Sequence, residues 1–272
     1  MEHRDYVVVA FIFLCGIILI YYVFKYYNKP KIQQDNMNIS REEALDVLHR
    51  KVHFFDSLSA EDQEKFLQRG QYFLSATKIS AEKGVVLTNE DKVLIAASAT
   101  IPLIHYDNWA YKNLTEVLVY PDSFTEKFDT EEGERNILGM VGDGALNHKM
   151  IISIGALRAG FNKNPEGNTA IHEFVHLIDK ADGETDGVPE YLIPKELVQP
   201  WLQEMHRTIR QIRTGHSDIR DYAATNEAEF LAVTSEYFFK KPKMLQKDHP
   251  RLYSLLDEIY GNQVQPDNQT IG

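Results

Sequence analysis

The stretch His172-Glu173-Phe174-Val175-His176 sets two imidazoles four residues apart. A helix advances about 100° per residue, so both return to nearly the same face and aim two nitrogen donors at one spot. Glu173, about 100° round from His172, carries a carboxylate long enough to reach a water held by a metal bound to that pair. The chemistry such a set supports is metal-assisted amide hydrolysis. A zinc ion polarises the carbonyl and lowers the pKa of its water, while Glu173 takes a proton from the water and later passes one to the leaving amine.

With 10 His and 40 acidic residues in 272, the pattern is expected by chance on the order of 0.03 times, so its context decides. Ala170, Ile171, Phe174, Val175, Leu177 and Ile178 make the helix largely apolar, and Asn168 or Thr169 stands where a cap is needed. A helix of this kind is buried on most sides. A His-Glu-His stripe within it is costly to desolvate without a partner, which favours a metal over a satisfied structural pair.

A catalytic zinc needs a third protein ligand and an open fourth position. In a metzincin arrangement, a glycine would follow three residues after His176 and a ligand six after; this chain has Asp179 and Asp182 there. Asp182 is a ligand by type, but the missing glycine disfavours the sharp turn, and Asp179 reads as a carboxylate orienting a ligand imidazole. His206 and His216 sit in a polar, Arg-rich segment and read as surface residues. The stronger candidate is Glu229, in a second helix capped by Thr225 or Asn226, where Phe230, Ala232, Val233 and Phe239 imply close packing. An inward carboxylate there calls for a cation. Glu236, two turns on and on the same face, is either a group that orients a ligand or a plain buried hydrogen-bonding residue. Glu227 points roughly 200° away from Glu229. Tyr222, just before the helix, is either a donor to the oxyanion of a tetrahedral intermediate or a core tyrosine.

Taken together, His172-Glu-Phe-Val-His176-Leu-Ile-Asp179 and Tyr222-Ala-Ala-Thr-Asn-Glu-Ala-Glu229-Phe resemble the MtfA (Mlc titration factor A) family of zinc peptidases, relatives of the anthrax lethal factor catalytic domain. Phe54 to Gln63, Leu87 to Ala97 and Val119 to Phe124 are also similar to segments of that family. The resemblance implies a zincin-like fold and a gluzincin-type, aminopeptidase-like activity. It implies zinc on His172, His176 and Glu229, Glu173 as general base and acid, and Tyr222 as transition-state stabiliser. The founding member of the family also binds a glucose-responsive transcriptional repressor, which makes a transcriptional regulator a second candidate partner beside a peptide substrate.

Residues 6–24 contain no charge. Nineteen apolar residues are long enough to cross roughly 30 Å of hydrocarbon as a helix, and no small-residue cleavage signature follows, so the span reads as a single-pass lipid-bilayer anchor ahead of a removed signal peptide. Lys25, Lys29 and Lys31 follow it and Arg4 alone precedes it, which places the C-terminal domain in the cytoplasm. Cys15, the single cysteine, lies inside this span, so the remainder is free of disulfides. A net charge of -11 argues against a nucleic-acid partner. The organisation expected is therefore an anchor over 1–27, a polar linker over 28–38, a peptidase domain over 39–262 and a disordered tail over 263–272.

Within the domain the fold class expected is α+β, mainly helical with a small sheet, preceded by one N-terminal transmembrane helix. Helices are expected over 41–53, 60–74 (capped by Ser59), from Thr88 to about 101 with Asp91 completing a capping box, and over 197–212. Glu116 to Tyr120 and Met150 to Ile154 carry the good strand signals, with Pro121 ending the first. Met150 to Ile154 is either the sheet edge that pairs with an extended substrate or an interior strand. Gly139 to Gly144 reads as a flexible loop, not a phosphate cradle. Three functions follow: a zinc peptidase, a regulatory binding protein with a secondary peptidase site, and a structural zinc domain, the last disfavoured by the intact Glu173.

Overall fold

The computed structural model describes residues 16–19, 38–106, 110–121, 148–162 and 167–261, together with the backbone of 139–141. The chain divides into two units, Met1–Ile32 and Gln33–Gly272. Of the first, only the helical turn Gly16–Leu19 is described. No helix among the described residues is long and apolar enough to cross a membrane. The expected single-pass anchor over 6–24, with the cytoplasmic placement argued from it, is corrected accordingly. The linker 28–38, apart from Asn38, and the tail 263–272 lie outside the described residues.

The second unit is an α+β arrangement dominated by helices. Ser40 caps α1 (Arg41–Lys51), its Oγ accepting from the Glu43 N–H at 3.2 Å. The helix expected to run to residue 53 breaks at Val52, whose backbone leaves the helical region at φ -111° and ψ 82° and whose side chain is 2 % exposed, before the short α2 (His53–Asp56) resumes. Ser59 caps α3 (Ala60–Ala76). Thr88 and Asp91 form a reciprocal capping box at the start of α4 (Asn89–Thr100), a helix buried on nearly every side. Asp91 also takes a two-pronged bond from Arg158, at 2.8 and 2.9 Å.

The sheet has the order β1-β2-β4-β3, built from β1 (Lys78–Ala81), β2 (Glu116–Tyr120), β3 (Gly139–Val141) and β4 (Lys149–Ser153). The first three neighbours run parallel and β3 pairs antiparallel with β4. Val117, Val119, Met150, Ile151 and Ile152 are all fully buried, the near-continuous apolar reading of strands covered on both faces. One open alternative is decided here and one expectation changes. The strand around Met150 is interior, and the edge beside the histidine-bearing helix is β3, from the segment that had read as a loop. Gly-Met-Val is too short to show alternation, so pairing with β4 makes it a strand where local sequence does not.

Ser153 ends β4 and caps α5 (Ile154–Gly160). There follow α6 (Thr169–Asp179), α7 (Lys195–Arg213), a 3-10 turn at Asp221–Ala224, α8 (Glu227–Lys240), α9 (Pro242–Asp248) and α10 (Pro250–Gly261). Phe174 anchors α6 in the core, with ring centroids 5.5 Å from Phe73 and 5.0 Å from Tyr111. The opposite face of α6 packs on α8.

Candidate metal centre

Of the two capping candidates for α6, Asn168 is the one used: its Oδ1 accepts from the Ile171 N–H at 3.1 Å, and its Nδ2 donates to the Gly160 carbonyl at 3.2 Å. Starting the helix there turns His172 and His176 to one side, with their Nε2 atoms 3.0 Å apart. Asn226 caps α8 in the same way, accepting from the Glu229 N–H at 2.9 Å. Glu229 Oε2 then lies 2.9 Å from His172 Nε2 and 3.5 Å from His176 Nε2. Among the described residues these three form the single cluster of side chains whose donor atoms converge closely enough to share a metal ion.

Two features fit a cation. Glu229 Oε2 is buried and makes no hydrogen bond, which is costly for a carboxylate oxygen unless a positive charge meets it. The three donor atoms form a triangle whose circumradius is about 1.8 Å, less than the ~2.0–2.2 Å of a zinc–nitrogen or zinc–oxygen bond, so a point just off its plane is at bonding distance from all three. Burial raises the Glu229 carboxyl, but the two imidazoles outweigh it and hold the group well below the usual carboxylate range. Burial lowers His172, yet Glu229 and Glu236 outweigh that and lift it to about 10. The carboxylates thus create a negative field that a proton or a divalent cation answers.

Glu236 does the orienting. It is 4 % exposed, and its Oε1 lies 2.9 Å from His172 Nδ1 and 2.6 Å from Arg220 Nη2, while Oε2 accepts from the Asn168 N–H. Where a cation replaces the second proton of His172, Nδ1–H still donates to Glu236 and the Nε2 lone pair faces the cluster. Glu173 is 5 % exposed, and burial pushes its carboxyl upward. Tyr222, on the 3-10 turn, is half exposed, with its ring 5.9 Å from that of His172; burial and then Glu229 push its phenol up to about 12.

Other expected residues stand elsewhere. Asp179 makes no hydrogen bond to an imidazole; its Oδ2 accepts from the Gly187 N–H at 3.0 Å, its Oδ1 and His176 Nδ1 are buried without partners, and burial lifts its carboxyl to about 7. Asp182 is outside the cluster and accepts from the Glu184 N–H. His206 faces Glu227 at 3.6 Å and His216 bonds Thr214, both on the surface. Arg220 was not legible in advance: a lone arginine in a polar stretch carries no periodic signal, and its role arises only where the segment before α8 folds back on Glu236.

A mainly helical α+β chain in which a His-Glu-x-x-His helix meets a glutamate from a second helix has the build of a metallopeptidase-type protein. The sequence pattern of the glucose-regulated metallo-peptidase M90 family matches residues 25–261, and the chain belongs to that family. It is 30 % identical to an uncharacterized protein of Synechocystis over 79 % of this chain and 82 % of that one. It is 28 % identical to the Mlc titration factor A of Escherichia fergusonii over 84 % and 87 % of the two chains. With that of Klebsiella pneumoniae it shares 27 % identity over 88 % and 91 %.

Proposed function

We propose that the chain is a zinc-dependent peptidase of gluzincin type, with His172, His176 and Glu229 as metal ligands. The observation that carries this reading is the convergence of three donor atoms from two helices, with the buried Glu173 on the same helix as the two imidazoles. Zinc, when bound, supplies Lewis-acid polarisation of the scissile carbonyl and a lowered pKa for the attacking water. Glu173, made more basic by burial, accepts the proton of that water and returns one to the leaving amine. Tyr222 keeps its phenolic proton at neutral pH and donates it, as a hydrogen bond, to the oxygen that gains negative charge. Glu236 holds His172 so that Nε2 stays aimed.

Glu173→Gln should bind about one zinc per chain, as the parent does, while kcat/KM falls about 10²–10⁴-fold, the usual weight of a general base. Metal content by atomic absorption and hydrolysis of a fluorogenic peptide read the two quantities, and retained hydrolysis removes Glu173 from the mechanism. The aminopeptidase-like activity belongs to the same proposal: substrates with a free amino terminus should be cleaved, and their N-acetylated counterparts should not.

The name shared by several relatives, Mlc titration factor A, favours a second reading, in which this chain binds a transcriptional regulator. Binding of that kind would survive Glu173→Gln, so capture of the regulator by parent and variant alike, without cleavage, separates it from the first.

A further inference from the structure

A cavity of about 290 Å³ opens where the chain before α8 meets the end of α8 and the start of α9. Its apolar lining is Ile219, Val233 and Met244; its cationic lining is Arg220, Lys240 and Lys241. Ile219 and Val233 are buried at 3 % exposure each, whereas Met244 is 46 % exposed and forms the outer wall.

Charge decides what such a cavity takes. Two carboxylates also line it, and both are engaged. Asp218 has one oxygen 2.5 Å from His249 Nε2, and the other accepts from the Tyr237 hydroxyl at 2.7 Å. Glu236 is held by His172, Arg220 and the Asn168 N–H. The lysines are not matched in this way. Lys240 directs its ammonium at the carbonyls of Gly160, at 3.1 Å, and Gly167, and no carboxylate among the described residues pairs with it. Burial brings Lys240 down to about 8, the mark of a cation short of compensating charge. Lys241 is exposed and has no acidic partner among the described residues. The lining therefore leaves positive charge unanswered beside an apolar wall. A charge-assisted hydrogen bond from a guanidinium or ammonium to a carboxylate is strong, and a cavity of this size is near the lower end of small-molecule sites.

We propose that this cavity binds a small carboxylate bearing a short apolar group, with the carboxylate between Arg220 and Lys241 and the apolar group against Ile219, Val233 and Met244. A free N-acylated amino acid and the C-terminus of a short peptide both present that chemistry. The cavity shares Arg220 and Glu236 with the support of His172, so its occupancy is read by binding and not by activity.

Calorimetry on the full, metal-loaded chain tests it with N-acetyl-leucine, N-acetyl-glycyl-glycyl-leucine and N-acetyl-leucinamide. The proposal expects saturable binding of at least one acid, with the amide at least tenfold weaker. Comparable affinity of both acids points to recognition of the carboxylate and leucine side chain alone; tighter binding of the peptide points to a C-terminus. Lys241→Glu should weaken the acid at least tenfold. Lys247→Glu, an equal charge change at a residue of α9 outside the cavity lining, should leave its Kd within twofold. Both substitutions are at exposed positions, so folding is not at stake. No binding of either acid at millimolar concentration, an amide as tight as its acid, or binding indifferent to Lys241→Glu (a ligand at the metal centre instead) would each overturn the proposal.

Discussion

Glu236 gathers three groups with one carboxylate: an imidazole from α6, a guanidinium from the chain before α8, and the backbone N–H that precedes α6. Its effect on the metal is indirect, through the aim and basicity of His172. Glu236→Gln retains an acceptor for Nδ1 but removes the charge, and metal affinity should fall about 10–100-fold with helix content unchanged. Competition against a chromophoric chelator measures this, and an unchanged affinity would show that Glu236 only fills space. His172, Glu173, His176 and Glu229 were legible in the sequence because helical spacing and the cost of burying charge both act locally. The bonds from Arg220 and Asn168 to Glu236 were not, since they depend on how segments far apart in the chain come to lie together. The bond from the Gly187 amide to Asp179 Oδ2 was hidden for the same reason, although Asp179 sits one turn beyond His176.

At the scale of elements, the helices capped by Ser59, Thr88, Asn168 and Asn226 were readable from those starts, and β2 and β4 from their buried apolar runs, whereas the short α5 capped by Ser153 was not. The strands β1 and β3, four and three residues long, were not, because pairing with a neighbour defines them. The sheet also carries a charge device. Glu116 on β2 lies in register between Lys78 on β1 and Lys149 on β4, with ammonium–carboxylate distances of 2.8 and 3.1 Å. Burial alone would raise this carboxyl, but Lys78, Ser80 and Lys149 outweigh it and hold it at about 2. A carboxyl whose pKa is lower when folded adds stability that is fully present above its unfolded value, near 4.5, and is lost as pH falls toward 2. Glu116→Gln should therefore be less stable at pH 7 and show a shallower loss between about pH 4.5 and 2, as measured by urea melts across that range. Parallel pH profiles for parent and variant would remove the three-strand link.

Across the whole molecule, Gly187 joins three helices. Its N–H binds Asp179 at the end of α6, its carbonyl accepts from Trp201 Nε1 of α7 at 2.7 Å, and its Cα lies against the first residue of α8. It has φ +75°, and a Cβ there would come 2.3 Å from the Glu227 carbonyl oxygen. Gly187→Ala should cost about 2 kcal/mol or more, a Tm drop of roughly 4–8 °C for a domain of this size, and should weaken metal binding by displacing the start of α8. A variant with parental Tm and metal affinity would contradict this. Packing through Gly187 therefore sets the spacing of the helices that carry the candidate ligands. The membrane reading failed at the same scale: it rested on the length and hydropathy of one segment, and no described helix carries it. The two imidazoles and the carboxylate that face each other come from α6 and α8, with Glu229 about 50 residues after His176. On a ribosome adding 5–20 residues per second, the histidines are made about 3 to 10 s before their third partner exists. A nascent chain in that interval offers only the two imidazoles of the cluster, and all three donors coexist only after the ribosome has passed α8.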